Sequence, residues 1–185
     1  MFVDNIRIFA RAGKGGNGLV SFRRAKFVPK GGPDGGDGGD GGSVILEVDP
    51  HTNDLRSFFY DPKLIATDGV GGQSAKKHGK NGKSVIGKVP PGTIIYRSNA
   101  SSMAEATWLE REGEGIELEK IADLTEIGTR FTLCQGGLGG KGNWHFRSAT
   151  NQAPTEAEMG TEGEEGVFFM ELRRIADAGL VGYPN

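Results

Sequence analysis

A disulfide framework is excluded at once, because the chain carries a single cysteine, Cys134. Such sparing use of cysteine fits a reducing compartment. Long apolar runs are missing as well. No segment approaches the 18 apolar residues of a membrane-spanning helix, and the opening MFVDNIRIFARAGKGG has no apolar core of the secretory kind. The expectation is a cytoplasmic protein with no membrane partner. Metal and nucleophile chemistry find little support: His51, His78, His145 and Cys134 are scattered, and no Ser-His-Asp or Cys-His spacing stands out. No catalytic residue and no metal ligand is therefore assigned. Hydrophobic types fill only 36% of 185 positions, which allows a modest core and one domain, or one domain with a fragment of another.

What the chain has in excess is glycine. Residues 31–42 read GGPDGGDGGDGG, a strict triplet from Gly35 onward with no apolar side chain to bury. An α-helix needs a repeat of 3.6 and a half-buried strand a repeat of two, and neither is present. A repeat of three is that of a polyproline II helix, which has no internal hydrogen bonds. One such helix alone would be a loose linker, since glycine loses the most entropy on ordering. Several side by side can pack, because glycine lets backbones come close enough to bond one another. Partners exist at 13–18 (GKGGNG), 69–92 and 136–142 (GGLGGKG). The 32 glycines are about 17% of the chain, against a usual level of roughly 7%. Disordered chains reach such levels too, but here apolar segments separate dense clusters, which favours packed arms over flexible linkers.

The intervening segments read as strands. Residues 5–12 alternate, with Ile6, Ile8 and Ala10 on one face. Residues 19–22, 44–48, 55–59, 84–89, 93–96 and 130–134 are short and rich in β-branched or aromatic types. Pro91-Gly92 marks a turn joining two of them. The fold class is mainly β: a small sandwich or barrel from which glycine-rich arms project. Residues 103–111 (MAEATWLER) are the one plausible helix before the C-terminus, within an acidic excursion at 98–120. Residues 151–166, rich in acids and amides, either lie over the domain or link it onward. Residues 167–175 alternate in part. The final LVGYPN is an apolar strand running into a glycine, which suggests that the next element is missing.

Charge is unevenly spread. Through residue 98 there are 15 Lys and Arg against 9 Asp and Glu; from residue 99 there are 7 against 15. The cations gather beside glycine tracts: Arg23, Arg24, Lys26 and Lys30 by the first two, Lys76, Lys77, Lys80 and Lys83 by another, Lys141 and Arg147 by the last. Long cations on backbone-rich protrusions point to a polyanion, and these ten residues are the predicted RNA contacts. Two readings stand for Arg23 and Arg24: RNA contact, or bracing of the arms by bonds to glycine carbonyls. Asp34, Asp37 and Asp40 resemble calcium-binding repeats in spacing, but one run is too short for a stacked fold, and capping of neighbouring backbone N–H groups or solvent exposure is the better reading. Phe22, Phe27, Trp144 and Phe146 could stack on bases, though anchoring the arms to the β core is favoured.

Four stretches carry a family resemblance: residues 1–42 as a whole, KVPPGT at 88–93, IADLTEIG at 121–128 and GGLGGKGNWHF at 136–146. They resemble the Obg family of GTPases, and ADAGLVGYPN at 176–185 looks like the first strand of that family's GTPase domain. The resemblance implies an Obg domain over 1–166, a bundle of left-handed type II helices on a small β-barrel or sandwich, followed over 167–185 by the truncated start of a GTPase domain. It further implies a protein that acts late in assembly of the large ribosomal subunit, its glycine-rich domain entering the peptidyl-transferase region of the rRNA. In the family a phosphate-cradling loop G-x-x-x-x-G-K-[ST] follows, with GTP or GDP and Mg bound there. Gly182 would be its first glycine, and the rest of the loop lies beyond Asn185. The 185 residues are thus expected to hold no cofactor and to hydrolyse no GTP, while the parent does both. Residues 98–120 exceed the short turn of typical members and look like an insertion. A monomer is expected. The competing reading is a platform for stress-signalling or cell-cycle protein partners.

Overall fold

The structure, a computed structural model, describes residues 3–24, 26, 31–100, 102–112 and 117–173, with 108–112 described by backbone alone. Alternation along β1 (Asn5–Arg11) buries Ile8 and Ala10 on one face. The same period builds β2 (Val44–Val48), whose Val44, Leu46 and Val48 are buried. The remaining strands are β3 (Lys63–Ile65), β4 (Val85–Val89), β5 (Thr93–Ser98), β6 (Leu118–Leu124), β7 (Arg130–Cys134) and β8 (Glu165–Leu172). They form two sheets, a five-stranded one in the order β3-β1-β8-β5-β6 and a three-stranded one in the order β4-β2-β7. One apolar cluster joins them, with Ile8, Ile95, Phe168 and Met170 from the first sheet and Leu46, Val89 and Leu133 from the second. This is the expected mainly-β sandwich.

The outer face of the larger sheet is covered by α2 (Met103–Glu112). Ala106 and Met103 pack there with Ala100 and with Phe9, Val167 and Phe169 of the sheet. Arg7 donates to the Thr107 hydroxyl and lies over the Phe169 ring. The acidic excursion therefore leaves from β5, crosses the sheet as a helix and returns as β6, β5's antiparallel neighbour.

Several expectations need correction. Residues 55–59 are not a strand but mostly a short helix, α1 (Arg56–Tyr60), because Leu55 and Phe58 are buried three apart while Phe59 and Tyr60 face outward. The Asp54 carboxylate accepts the Arg56 N–H at the start of that turn. Residues 19–22 form no strand; among the described residues their β-pairing is one isolated bridge, Phe22 to Pro33. β6 begins at Leu118, so the excursion ends before residue 120. Strand β3 was not foreseen, as three residues are too few for a legible period. A domain boundary after residue 166 also fails. β8 lies between β1 and β5 in the sheet, and its Val167, Phe168, Met170 and Leu172 are buried. The β unit therefore runs through Leu172; the rest of the supposed second segment, 174–185, lies outside the described residues.

Strand direction explains where glycine goes. β1, β3 and β7 run toward one end of the sandwich, and β2, β4 and β8 run back from it, as the parallel pairs β1–β3 and β2–β4 and the antiparallel pairs β1–β8 and β2–β7 require. Between each outgoing and returning strand the chain makes a pair of extended arms. These are arms I (12–20) and II (31–43), III (66–73) and IV (76–84), and V (135–142) and VI (154–164). The arms bond one another every third residue. Gly13, Gly16 and Leu19 of arm I donate to the carbonyls of Gly42, Gly39 and Gly36 of arm II, at 2.8, 2.8 and 3.0 Å. The period of three expected of polyproline II chains is thus realised between chains, since none can bond within itself.

Candidate nucleic-acid interface

The ladder partners define the cross-section of the bundle. Arms I and II bond each other, and both bond III on one side and V on the other. Arm IV bonds only II and III, and arm VI only I and V. Arms IV and VI therefore occupy opposite corners. Close approach is what makes this possible: a Cβ on Gly38 would lie 1.8 Å from the Gly16 carbonyl oxygen, and one on Gly41 1.9 Å from that of Gly13.

Backbone N–H groups left over by the ladders are met by side chains. The carboxylates of Asp37 and Asp40 accept from Gly142 and Gly139 of arm V, at 2.7 and 2.8 Å. Asp34 turns instead to the III–IV turn, where Oδ2 accepts from Ala75 N and the main-chain oxygen from Lys76 N. Both of those residues hold positive φ, 59° and 57°, a conformation rarely taken without glycine. The three aspartates thus act as caps for neighbouring chains. Burial pushes the Asp37 carboxyl up, but the Gly142 bond and the bond and charge of His145, whose Nε2 lies 2.8 Å from Oδ2, outweigh it and hold the group below its ordinary value.

Because every arm pair leaves and returns, three turns meet at the far end of the bundle: the described residues of the first (20–24, 26 and 31–34), 73–77 and 142–154. Asn143 ties them. It is fully buried; its Oδ1 accepts from Gly35 N at 2.9 Å and its Nδ2 donates to the carbonyls of Ser21 and Pro154 at 3.0 Å. The Oδ1 continues the arm II–V ladder where the main chain turns away into the short 3₁₀ turn Asn143–Phe146. Sequence reasoning missed this residue; its signal was an amide directly after a glycine tract.

The predicted cations among the described residues lie at this end, along arm IV, or, for Lys141, on arm V. Arg23 and Arg24 are exposed and line an open cleft of about 770 Å³ with Val20, Ser21, Phe22, Asp34, Ser74 and Ala75. Among the described residues neither guanidinium makes a bond or ion pair; the Arg23 main chain, not its side chain, braces the arms by donating to Gly32 O. Lys26 is exposed on the same turn, and Lys76 is exposed with Nζ 4.8 Å above the Trp144 ring. Arg147 is exposed, with its guanidinium beside Gly32. Lys77, Lys80 and Lys83 are exposed along arm IV, and Lys141 on arm V. Lys30, Phe27 and Gly182 lie outside the described residues. The aromatics do not anchor the arms to the β core as favoured: Phe22, Trp144 and Phe146 are half-buried at the far end, outside both apolar clusters. Trp144 packs on His145, ring centres 3.8 Å apart. No group of His, Cys, Asp and Glu among the described residues could hold a metal ion, and no helix is long and apolar enough to cross a membrane.

The arrangement is a stiff prong ending in cations from three separate stretches of chain. Comparison with known proteins agrees with the motifs that suggested it. The chain is 49% identical over 187 residues to a GTPase Obg of Methylacidiphilum infernorum, all of it matching 51% of that protein. It is 50% identical over 184 residues to a GTPase Obg of Chlorobium chlorochromatii, matching 49% of it, and 49% identical over 185 residues to one of Nautilia profundicola, matching 47%. The chain thus spans about half the length of these relatives. The sequence pattern of the GTP1/OBG family covers residues 3–174. A fold of six interlocked glycine arms on a β-sandwich, with this family's pattern running through both parts, makes the chain a member of the GTP1/OBG family, in its N-terminal Obg domain.

Proposed function

We propose that this domain docks on the rRNA of the large ribosomal subunit, near the peptidyl-transferase region, during late assembly of that subunit in the cytoplasm. The observation that carries the reading is the convergence of Arg23, Arg24, Lys26, Lys76 and Arg147 at the end of a bundle whose chains lie too close together to admit a side chain. Folded RNA is met through its shape, phosphates and 2′-hydroxyls, which suits a rigid prong with flexible cations at its tip. The longer protein would bind and hydrolyse GTP with Mg through a domain beyond these residues, and that cycle would time docking and release. Residues 1–185 contain no complete G-x-x-x-x-G-K-[ST] phosphate loop, so these residues by themselves are expected not to bind GTP.

Sedimentation with purified large subunits tests this. The chain is expected to pellet with them at low salt and to be released as salt rises. The variant R23Q/R24Q/K76Q/R147Q should lose most of that binding; undiminished pelleting would overturn the assignment. Titration with a fluorescent GTP analogue should show no magnesium-dependent, micromolar binding.

A further inference from the structure

The two outer corners of the bundle carry opposite charge. On arm IV, Lys77, Lys80 and Lys83 recur every third residue and are all exposed. In a chain with a three-residue turn they share one column, spaced by roughly 9 Å. No acid occurs between residues 69 and 88. The carboxylates of adjacent arm II, Asp37 and Asp40, are turned away to Gly142 and Gly139, and none of the three lysines makes an ion pair among the described residues. On arm VI the pattern is reversed. Glu156, Glu158, Glu162 and Glu164, with Glu165 at the start of β8, are exposed without a Lys or Arg between them. Among the described residues only Glu162 of the five pairs with a cation, Lys14, while Glu158 and Glu164 accept from the backbone N–H groups of Lys141 and Gln135 on arm V.

We infer that the bundle meets RNA with one flank as well as its tip: arm IV lies along a sugar-phosphate backbone, and arm VI faces away from it. This rests on the docking reading above and assigns it an orientation. The lysine column spans about 19 Å, a length over which one nucleic-acid strand presents several phosphates. Flexible ammonium groups on a straight rail need no particular phosphate spacing, so the contact is blind to sequence. The five carboxylates at the opposite corner repel a second backbone, which prevents the prong from entering the same cleft rotated by half a turn.

Site-directed crosslinking tests the orientation. Cys134 is buried, and burial pushes its thiol up to about 12, so a thiol placed on the surface is the only reactive one. H78C puts it on arm IV, and M159C, on a residue 79% exposed, puts it at a similar height on arm VI. With an aryl azide attached and the chain bound to large subunits, H78C is expected to crosslink rRNA and M159C is not. In parallel, K77Q/K80Q/K83Q should lower the slope of log affinity against log salt by about 2. If the chain pellets with subunits but both positions crosslink rRNA equally, or M159C the more, the orientation is wrong while docking stands. If the chain does not pellet at all, both readings fall together.

Discussion

Leu46 in the sandwich is fully buried in a cluster fed by both sheets, while Gly38 in the bundle is enclosed by main chain alone. The sandwich coheres by burying apolar side chains, at about 25 cal/mol for each Å² removed from water. The bundle has almost none to bury and coheres through interchain hydrogen bonds, each worth about 1 kcal/mol net. Many such bonds must therefore form together, at a chain separation that admits no side chain. One region should fail when a methyl group is removed, the other when one is added.

The sharpest way to break that contrast is Gly38→Ala. Its methyl group would sit 1.8 Å from the Gly16 oxygen, and the clash is with backbone, so no rotamer relieves it. We expect the ladders of arm II to I and V to open, a loss above about 4 kcal/mol within the bundle. Hydrogen exchange should quicken at Gly16, Gly39 and Gly41 while amides of β1 and β8 stay protected. Unchanged exchange in the arms would mean that the chains are not in contact as described.

Leu46→Ala tests the other half. The cavity left in the apolar cluster between the two sheets should cost about 3 kcal/mol, read as a lower urea midpoint. A neutral result would show that the sandwich core is not what holds the strands. Asn143→Ala probes the polar join between tips. Gly35 N would lose its acceptor, the Pro154 carbonyl its side-chain donor and the Ser21 carbonyl one of its two donors, for about 2 kcal/mol. Ser in place of Ala should recover little, since it cannot span three partners.

Asp37→Asn is the smallest effect, about 1 kcal/mol at neutral pH. Asp37 is held below its ordinary value in the folded chain, so its contribution is complete above the unfolded value, near pH 4, and is lost as pH falls through the folded one. The stability gap between wild type and variant should therefore close on acidification. A gap that widened toward low pH would contradict the cap assigned to this carboxylate.

β1 was legible because its period of two needs only neighbouring residues, and β2 and β7 because they are short and rich in β-branched or aromatic types. α1 was misread: Leu55 and Phe58 share a buried side at helical spacing, yet the segment is too short for that to outweigh its aromatic content. β8 looked like the start of something new because its partners β1 and β5 are far away in sequence, and no local pattern reveals a strand's neighbours. Among the candidate site residues, the cations were picked out by charge alone. Asn143 was not, since one amide gains its meaning only from three carbonyl and amide groups brought to it by separate arms.

Composition and spacing by themselves determined that glycine tracts with a repeat of three would extend and pack, that the remainder would be mainly β, and that cations would cluster beside the tracts. Those are local properties of chain stereochemistry and charge. Tertiary structure alone decided that three arm pairs share one bundle, that their turns meet at one end, and that lysines and glutamates fall on opposite corners. The reason is that polyproline II chains have no bonds of their own. Every hydrogen bond they make is to another chain, so their arrangement exists only once all six are assembled.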